Sequence, residues 1–165
     1  EGAEPRLVAT IAAAVARMEA ELAGLRRVAA ARVPIYHGQS QLAAVVARLQ
    51  ADHRLQIVAQ DVVLPMAEEG LVLALGHLLS NAVQAGASRV EIGFVDGVLT
   101  VADDGAGISV GNRDRVFDPF FTTKREAGGT GMGLAILRGL LAAHGAEIRL
   151  DQWPHTRFRP TFAAA

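Results

Sequence analysis

The sequence contains no cysteine among its 165 residues. Disulfide frameworks, thiolate metal sites and cysteine nucleophiles are therefore excluded, and a reducing compartment is favoured. No apolar run approaches the roughly 20 residues that a membrane-spanning helix needs. The first residues, EGAEPRL, carry acid where a signal peptide would carry a basic and then an apolar region. We therefore expect a cytoplasmic protein, attached to a membrane only through domains outside this sequence.

Neither sign of charge is in excess, because 16 Lys and Arg stand against 17 Asp and Glu, for a formal net charge of −1. This balance argues against nucleic-acid binding over a wide surface, which would need many cations to neutralise phosphates. Hydrophobic residues make up 51% of the chain, enough to bury a core and to exclude disorder. The length fits one domain with a short appendage.

Residues 6–32 contain no proline, one glycine and many alanines, which favours a long helix that Pro34 ends. Its larger apolar residues follow one another at spacings of four and three: Leu7, Ile11, Val15, Met18, Leu22 and Leu25. This narrow seam is typical of a helix that packs against a partner helix in a dimer or bundle. A surface helix packed on its own domain is the alternative. We assign residues 1–33 to this helix and 34–165 to a separate domain.

Within residues 34–165 the spacing of apolar residues predicts helices over 39–51 (capped near Ser40), 67–85 and 134–143. Alternation predicts strands over 54–60, 88–95, 98–103, 147–150 and 157–162. Asp96-Gly97, between two of these strands, is the strongest hairpin signal in the chain. The mixture predicts an α+β fold, a two-layer α/β sandwich with a mixed, mainly antiparallel sheet and helices on one face.

Polar residues interrupt the apolar surface of the helix predicted over 67–85. His77, Asn81 and Gln84 share one face at positions i, i+4 and i+7. Asparagine is a mediocre residue for a helix interior, because its amide competes for backbone hydrogen bonds. The strip therefore predicts either a wall that faces a cavity or, equally, an asparagine that reaches solvent.

A second motif, DDGAGI at 103–108, follows a predicted strand directly. A carboxylate at a strand end can accept a hydrogen bond from an amine, and glycines let the backbone turn tightly or approach a ligand. Because Asp-Gly turns are common, this motif alone is weak.

Two further motifs follow, VFDPFFTTK at 116–124 and GGTGMGL at 128–134. The phenylalanines either anchor a loop to the core or form an apolar hinge beside a site, and Lys124 is placed where a cation could reach a phosphate. The glycine-rich segment opens a helix, where backbone N–H groups and the helix dipole favour an anion. Its spacing fits neither the dinucleotide-binding nor the P-loop fingerprint.

Taken in this order and spacing, the four motifs resemble the N, G1, F and G2 boxes of the sensor histidine kinase catalytic domain. That domain belongs to the ATPase superfamily of DNA gyrase, heat-shock-type chaperones and mismatch-repair ATPases. The resemblance covers residues 34–165, and DPFFTTK followed by GGTGMGLAI is most similar to the histidine kinases. The helix over 1–33 is similar to the second helix of the family's dimerisation and phosphoacceptor hairpin, which implies a homodimer of the full-length protein.

The resemblance implies roles by position. Asp103 would accept a hydrogen bond from the adenine amine, Asn81 would hold Mg²⁺ and phosphate oxygens, and residues 109–130 would form a lid. Mg²⁺ suits such a site because it needs few protein ligands. The implied ATP-binding residues are Asn81, Gln84, Asp103, Gly105, Gly107, Ile108, Phe120, Lys124, Gly129, Thr130, Gly131, Met132, Gly133 and Leu134. The implied catalytic residues are His77, Asn81 and Lys124.

Two positions depart from the family. His77 stands where kinases usually carry asparagine and the hydrolytic relatives carry a glutamate base. It is interpreted as a substitute hydrogen-bonding group, as a cause of weakened Mg²⁺ handling, or as an unusual general base. Gln84 stands where many members carry Lys or Arg, and Lys124 is our hypothesis for compensation.

The phosphoacceptor is also missing, because no histidine of this sequence is followed by an acid and then a proline as the family's acceptor is. The five are His37, His53, His77, His144 and His155. The expected function is transfer of the ATP γ-phosphoryl to a histidine on the acceptor hairpin of its own or a sister subunit, and onward to a response regulator receiver domain. The alternatives are a mismatch-repair-like ATPase and a nucleotide-binding pseudokinase that acts as an interaction module.

Overall fold

The computed structural model describes residues 37–50, 54–125, 129–152 and 155–162. The helices are α1 (Leu42–Gln50), α2 (Glu68–Gln84) and α3 (Gly133–Ala143), and a short 3-10 helix spans Val110–Arg115. The strands are β1 (Ser40–Gln41), β2 (Gln56–Ala59), β3 (Val63–Leu64), β4 (Arg89–Val95), β5 (Val98–Asp103), β6 (Ala146–Gln152) and β7 (Thr156–Phe162). The long helix predicted over residues 6–32 lies outside the described residues.

Five strands form one sheet in the order β2-β4-β5-β7-β6. Strand β2 runs parallel to β4, and the other neighbouring pairs are antiparallel. The turn between β4 and β5 has Asp96 at φ 49° and Gly97 at φ 77°. A type I′ hairpin requires these two positive φ values. The hairpin and the mixed, mainly antiparallel sheet predicted from the sequence are confirmed.

Burial alternates along the strands, so that one face of the sheet is apolar and the other carries the exposed charged side chains of β4, β6 and β7. The apolar face carries Val90, Val101 and Phe158, one from each of the three central strands. These side chains form one core with Leu75 of α2 and Leu137 of α3, both fully buried. The two-layer α/β sandwich is therefore confirmed.

The longer helices lie close to their predicted bounds. Helix α2 contains 17 residues and packs against both α3 and α1. Helix α3 ends at Ala143, followed by His144 and by Gly145 at φ 68°, the left-handed conformation that commonly follows a helix. In the part of the chain that the structure describes, no helix has the length and apolar character that crossing a bilayer requires.

The predicted helix cap near Ser40 is wrong. Ser40 and Gln41 form β1, which pairs antiparallel with Leu64 and Val63 of β3, a strand that the sequence did not predict. The Ser40 hydroxyl is buried without a hydrogen-bond partner among the described residues, so it caps nothing. Helix α1 begins at Leu42 because the chain first pairs with β3, and the Leu42 amide donates to the carbonyl of Val62 at 2.9 Å.

Candidate functional site

A pocket of about 600 Å³ opens between α2, the loop after β5 and the start of α3. The structure brings His77, Asn81 and Gln84 together on its wall, as the cavity interpretation of their common helix face requires. Among the described residues, no partner hydrogen-bonds the side-chain amide of Asn81. Helix α2 therefore presents a polar strip to the pocket while its opposite side enters the core.

His77 lies where α2 meets the start of α3. A Cβ atom at Gly133 would be 3.4 Å from His77 Nδ1, so the imidazole lies directly against the first residue of α3. Burial lowers the pKa of His77 from 6.5, because leaving water penalises the charged imidazolium. The imidazole is therefore mainly neutral at pH 7 and can both donate and accept a hydrogen bond.

The start of α3 is open to an anion. Helix α3 begins at Gly133 after Met132, with no side-chain cap and no acidic residue in its first turn. The first N–H groups of a helix have no partner within the helix, and the helix dipole adds partial positive charge there. Residues 129–134 line the pocket at this point.

Asp103 ends β5 with only 6% of its surface exposed. Its Oδ1 accepts a hydrogen bond from the Gly105 amide at 2.9 Å. A Cβ at Gly105 would lie 2.8 Å from that oxygen and 2.9 Å from both Cβ and the carbonyl oxygen of Ala85, so only glycine fits. Burial raises the pKa of Asp103 above 3.8, and the Gly105 hydrogen bond opposes that rise.

Lys124 spans from the loop after the 3-10 helix to the end of α2. Its Nζ donates to the carbonyl oxygen of Gln84, and its backbone amide donates to Thr122 Oγ1 at 3.0 Å. Lys124 is also one of the residues that line the pocket. Lys124 thus places a cation on the same side of the pocket as Gln84, whose own side-chain amide is neutral.

The segment around Gly131 packs against the backbone of the phenylalanine loop. Gly131 has φ 71°, and a Cβ there would lie 2.5 Å from the carbonyl carbon of Phe120 and 2.6 Å from the carbonyl oxygen of Phe121. Phe120 itself has φ 65°, which is uncommon for a residue with a bulky side chain. The two segments are therefore interlocked through backbone atoms, and Gly131 is the residue that permits the approach.

Most of the predicted nucleotide-binding residues line the pocket, but three do not. Asp103, Gly105 and Phe120 are not among the lining residues, although Gly105 packs against Ala85, which does line the pocket, and its amide hydrogen-bonds Asp103. The predicted residues that line it are His77, Asn81, Gln84, Gly107, Ile108, Lys124, Gly129, Thr130, Gly131, Met132, Gly133 and Leu134.

Sequence reasoning missed other lining residues, among them Phe121, Thr122 and Thr156. The first two stand in the VFDPFFTTK motif and could have been taken from it. Thr156 is 1% exposed at the start of β7, and no local pattern distinguishes it, because only the pairing of β7 with β5 brings it to the pocket.

Comparison with known proteins gives a family for more than half of this chain. The family model "Histidine kinase-, DNA gyrase B-, and HSP90-like ATPase" matches residues 66–164, which include every motif described above. The chain is 37% identical over 89 residues to the sensor histidine kinase CpxA of Escherichia coli (strain K12). That alignment covers 49% of this chain and 20% of CpxA, so the chain spans about a fifth of that kinase.

Solved structures agree with the fold. The mycobacterial sensor histidine kinase MprB superposes with a TM-score of 0.59 and 25% identity, covering 76% of this chain and 96% of that chain. The ATP binding domain of PrrB from Mycobacterium tuberculosis gives a TM-score of 0.61 at 21% identity, covering 79% of this chain and 98% of that chain. The chain therefore belongs to the histidine kinase-, DNA gyrase B- and HSP90-like ATPase family, and its relatives within that family are sensor histidine kinases.

Proposed function

We propose that this chain is the ATP-binding catalytic domain of a sensor histidine kinase, and that it transfers the γ-phosphoryl of ATP to a histidine outside this sequence. One observation carries the proposal. A single pocket is lined by the polar face of α2, by the loop after Asp103 and by the glycine-rich start of α3. A metal-binding amide and an anion site would therefore face one cavity, and the amine acceptor Asp103 would adjoin it through Gly105 and Ala85.

We call Asp103, Gly105 and Gly107 the base end, where Gly107 lines the pocket and Asp103 and Gly105 lie next to it behind Ala85. The carboxylate of Asp103 keeps one oxygen on the Gly105 amide, which leaves the other to accept a hydrogen bond from the adenine amine. An oxo group in place of that amine would be repelled, so Asp103 favours adenine over guanine. Ile108, on the pocket lining, would supply apolar contact for the base.

We call Asn81, Lys124 and residues 129–133 the phosphate end. The backbone N–H groups at the start of α3 would bind phosphate oxygens, and Lys124 would add a positive charge. In the transfer, the bond between the γ-phosphorus and the β–γ bridging oxygen breaks, and ADP leaves. A new bond forms between the γ-phosphorus and an imidazole nitrogen of the acceptor histidine. The residues of this chain contribute position and charge rather than a covalent intermediate.

The phosphate end fits Mg²⁺. Among the described residues, no group of three or more His, Cys, Asp or Glu forms a complete metal cage. Mg²⁺ is commonly held by one or two protein oxygens together with substrate phosphates. The side-chain oxygen of Asn81 on the pocket wall is such a ligand, and the ion would neutralise charge that develops on the phosphate oxygens.

The wider assignments rest on the family and stay predictions. Residues 34–165 form the catalytic domain, and residues 1–33 supply the second helix of an acceptor hairpin through which the full-length protein forms a homodimer. The partners are that hairpin, on its own or a sister subunit, and a response regulator receiver domain. We place the domain in the cytoplasm, with any membrane attachment elsewhere in the protein.

A hydrolytic ATPase is the second candidate, and His77 is the observation that favours it. The imidazole lines the pocket, and burial lowers its pKa, so it could accept a proton from water. Steady release of phosphate without an acceptor protein, reduced in His77→Asn, would support hydrolysis. Negligible release from both chains supports the kinase.

Calorimetric titration with a non-hydrolysable ATP analogue, with and without Mg²⁺, tests the proposal. Binding that Mg²⁺ strengthens supports the kinase site. Binding indifferent to Mg²⁺ in the wild type but dependent on it in His77→Asn assigns the weakness to His77. No binding by a folded chain would contradict the proposal and favour a domain that uses this fold only to bind partners.

A further inference from the structure

Asp104 follows Asp103 directly and has the opposite environment. Its side chain is exposed, whereas Asp103 is buried. Its Oδ1 accepts hydrogen bonds from the backbone amides of Ser88 at 2.7 Å and Arg89 at 2.9 Å. Its Oδ2 accepts one from the Ser88 hydroxyl at 2.6 Å. One exposed carboxylate thus satisfies three donors of a neighbouring segment.

That neighbouring segment joins the end of α2 to the start of β4. Two backbone hydrogen bonds tie the loop after β5 to the same segment, from the Asp104 amide to Arg89 O at 3.2 Å and from the Ala106 amide to Ala85 O at 3.0 Å. Among the described residues of the loop after β5, Asp104 is the one whose side chain hydrogen-bonds the segment between α2 and β4. We call these contacts of Asp104 with Ser88 and Arg89 the clamp.

The clamp holds the loop at a point where Gly105 and Ala85 are in close contact. Gly105 passes Ala85 so closely that even a Cβ would lie 2.9 Å from the Ala85 carbonyl oxygen, and the Gly105 amide holds Asp103 Oδ1. Any shift of the loop away from Ser88 would therefore carry Gly105, and with it the Asp103 carboxylate, out of position.

We propose that Asp104 is a positioning residue, whose clamp on Ser88 and Arg89 fixes the Asp103 carboxylate in the orientation that accepts the adenine amine. The inference rests on the proposed function, because it assigns the adenine amine to Asp103. It adds a second aspartate with a separate role, since Asp104 touches no nucleotide and sets the selectivity for the base through the loop.

Three variants of the clamp separate position from charge. Asp104→Ala removes all three hydrogen bonds. Asp104→Asn keeps them, because the amide oxygen accepts from both backbone amides and the amide nitrogen donates to the Ser88 hydroxyl. Ser88→Ala removes one. Glu147→Ala is the matched control, because Glu147 is an exposed carboxylate that accepts two hydrogen bonds from Arg149 on β6.

The measurement is calorimetric titration of each chain with non-hydrolysable analogues of ATP and GTP. We expect Asp104→Ala to raise the dissociation constant for ATP about tenfold and to leave the weaker binding of GTP unchanged. The preference for ATP then falls by the same factor. Ser88→Ala should lower the preference about threefold, while Asp104→Asn and Glu147→Ala should retain it.

Two results would overturn the positioning role while leaving the proposed function intact. One is an Asp104→Ala or Ser88→Ala chain that prefers ATP as strongly as the wild type does. The other is a parallel weakening for ATP and GTP, which a merely structural role would give. A wild-type chain that binds both nucleotides equally would instead overturn the adenine site at Asp103 and the positioning role together. If Asp104→Ala does not fold, the folded pair Ser88→Ala and Asp104→Asn decides.

Discussion

The base end and the phosphate end of the pocket are built from different parts of the fold. At the base end, Asp103 is the last residue of a central strand, and its neighbours are held by hydrogen bonds to β4 and to the end of α2. At the phosphate end, the groups come from the surface of α2 and from the glycine-rich backbone before α3.

This difference indicates how each end achieves selectivity. On the proposed function, the base end would read one functional group with the carboxylate of Asp103, which ends a central strand and which the clamp orients. The phosphate end depends on backbone conformation, because Gly131 packs against the backbone of Phe120 at a φ of 71° that favours glycine. We therefore expect side-chain changes to dominate at one end and backbone changes at the other.

The largest effect is expected for Asp103→Ala at the base end. The variant loses the acceptor for the adenine amine and the acceptor for the Gly105 amide, so affinity for an ATP analogue should fall roughly 100-fold. Calorimetric titration measures the loss, and circular dichroism checks the fold. The control is Asp96→Asn at the other end of the same hairpin, where Asn tolerates φ 49°. If Asp103→Ala bound the ATP analogue as tightly as the wild type does, Asp103 would not be the residue that binds the adenine amine.

Gly131→Ala tests the phosphate end through the backbone alone. The added Cβ would lie 2.5 Å from the carbonyl carbon of Phe120 at a φ of 71°. The positive φ alone costs roughly 1–2 kcal/mol, and the contact with backbone atoms adds to that cost, so we expect at least about tenfold weaker binding of an ATP analogue. Adenosine, which lacks phosphates, should bind as it does to the wild type. Gly139→Ala is the matched control, because a Cβ there meets nothing within 4 Å on helix α3. If Gly131→Ala weakened the binding of adenosine and of the ATP analogue equally, the effect would not be confined to the phosphate end.

The sequence predicted elements whose signal is local. Helix α2, helix α3 and the Asp96-Gly97 hairpin follow from periodicity or from one dipeptide, and the structure has each of them. Strand β1 was missed because Ser40 is extended only through its pairing with Leu64. A helix cap and a two-residue strand look alike in a sequence when the partner strand is unknown.

The candidate site divides in the same way. Motifs on one segment, such as His77 with Asn81 on α2, came to the pocket as their spacing required. Thr156 and Asp104 carried no local signal, since the first reaches the pocket through a strand pairing and the second acts on Ser88, 16 residues earlier in the chain. Contacts between distant segments are a property of the fold.

Lys124→Met should give a smaller effect, again confined to the phosphate end. The variant loses the ammonium that contacts the Gln84 carbonyl, on a residue that lines the pocket. For an ATP analogue we expect about threefold weaker binding at low salt, a difference that shrinks as salt is added, because the charge is partly exposed. Adenosine binding should not change. Arg113→Met removes an exposed cation from the 3-10 helix outside the pocket and serves as the control. A loss that salt does not reduce would assign Lys124 a structural role instead.

The smallest expected effect is in the pH dependence of stability, where Asp103 and Asp104 act with opposite signs. Burial raises the pKa of Asp103 above 3.8, so its contribution to the free energy of unfolding is present in acid and is lost as the pH rises through its folded pKa. Hydrogen bonds from Ser88 and Arg89 lower the pKa of Asp104 from 3.8 to about 2. Its contribution is therefore present above pH 3.8 and is lost as the pH falls towards 2.

Urea unfolding of three chains between about pH 6 and pH 3 separates the two aspartates, because each asparagine variant removes one titration and keeps the shape of the side chain. Asp104→Asn should lose less stability in acid than the wild type does, and Asp103→Asn should lose more.

The pH dependence of ATP-analogue binding is a second measurement. Binding to the wild type should weaken on acidification, because a protonated Asp103 no longer presents a free carboxylate to the adenine amine. In Asp104→Asn that midpoint should move to lower pH, since the charge of Asp104 is one of the causes that raise the pKa of Asp103. If both variants changed the acid loss in the same direction, the opposite environments of these neighbouring carboxylates would not explain the different roles assigned to them.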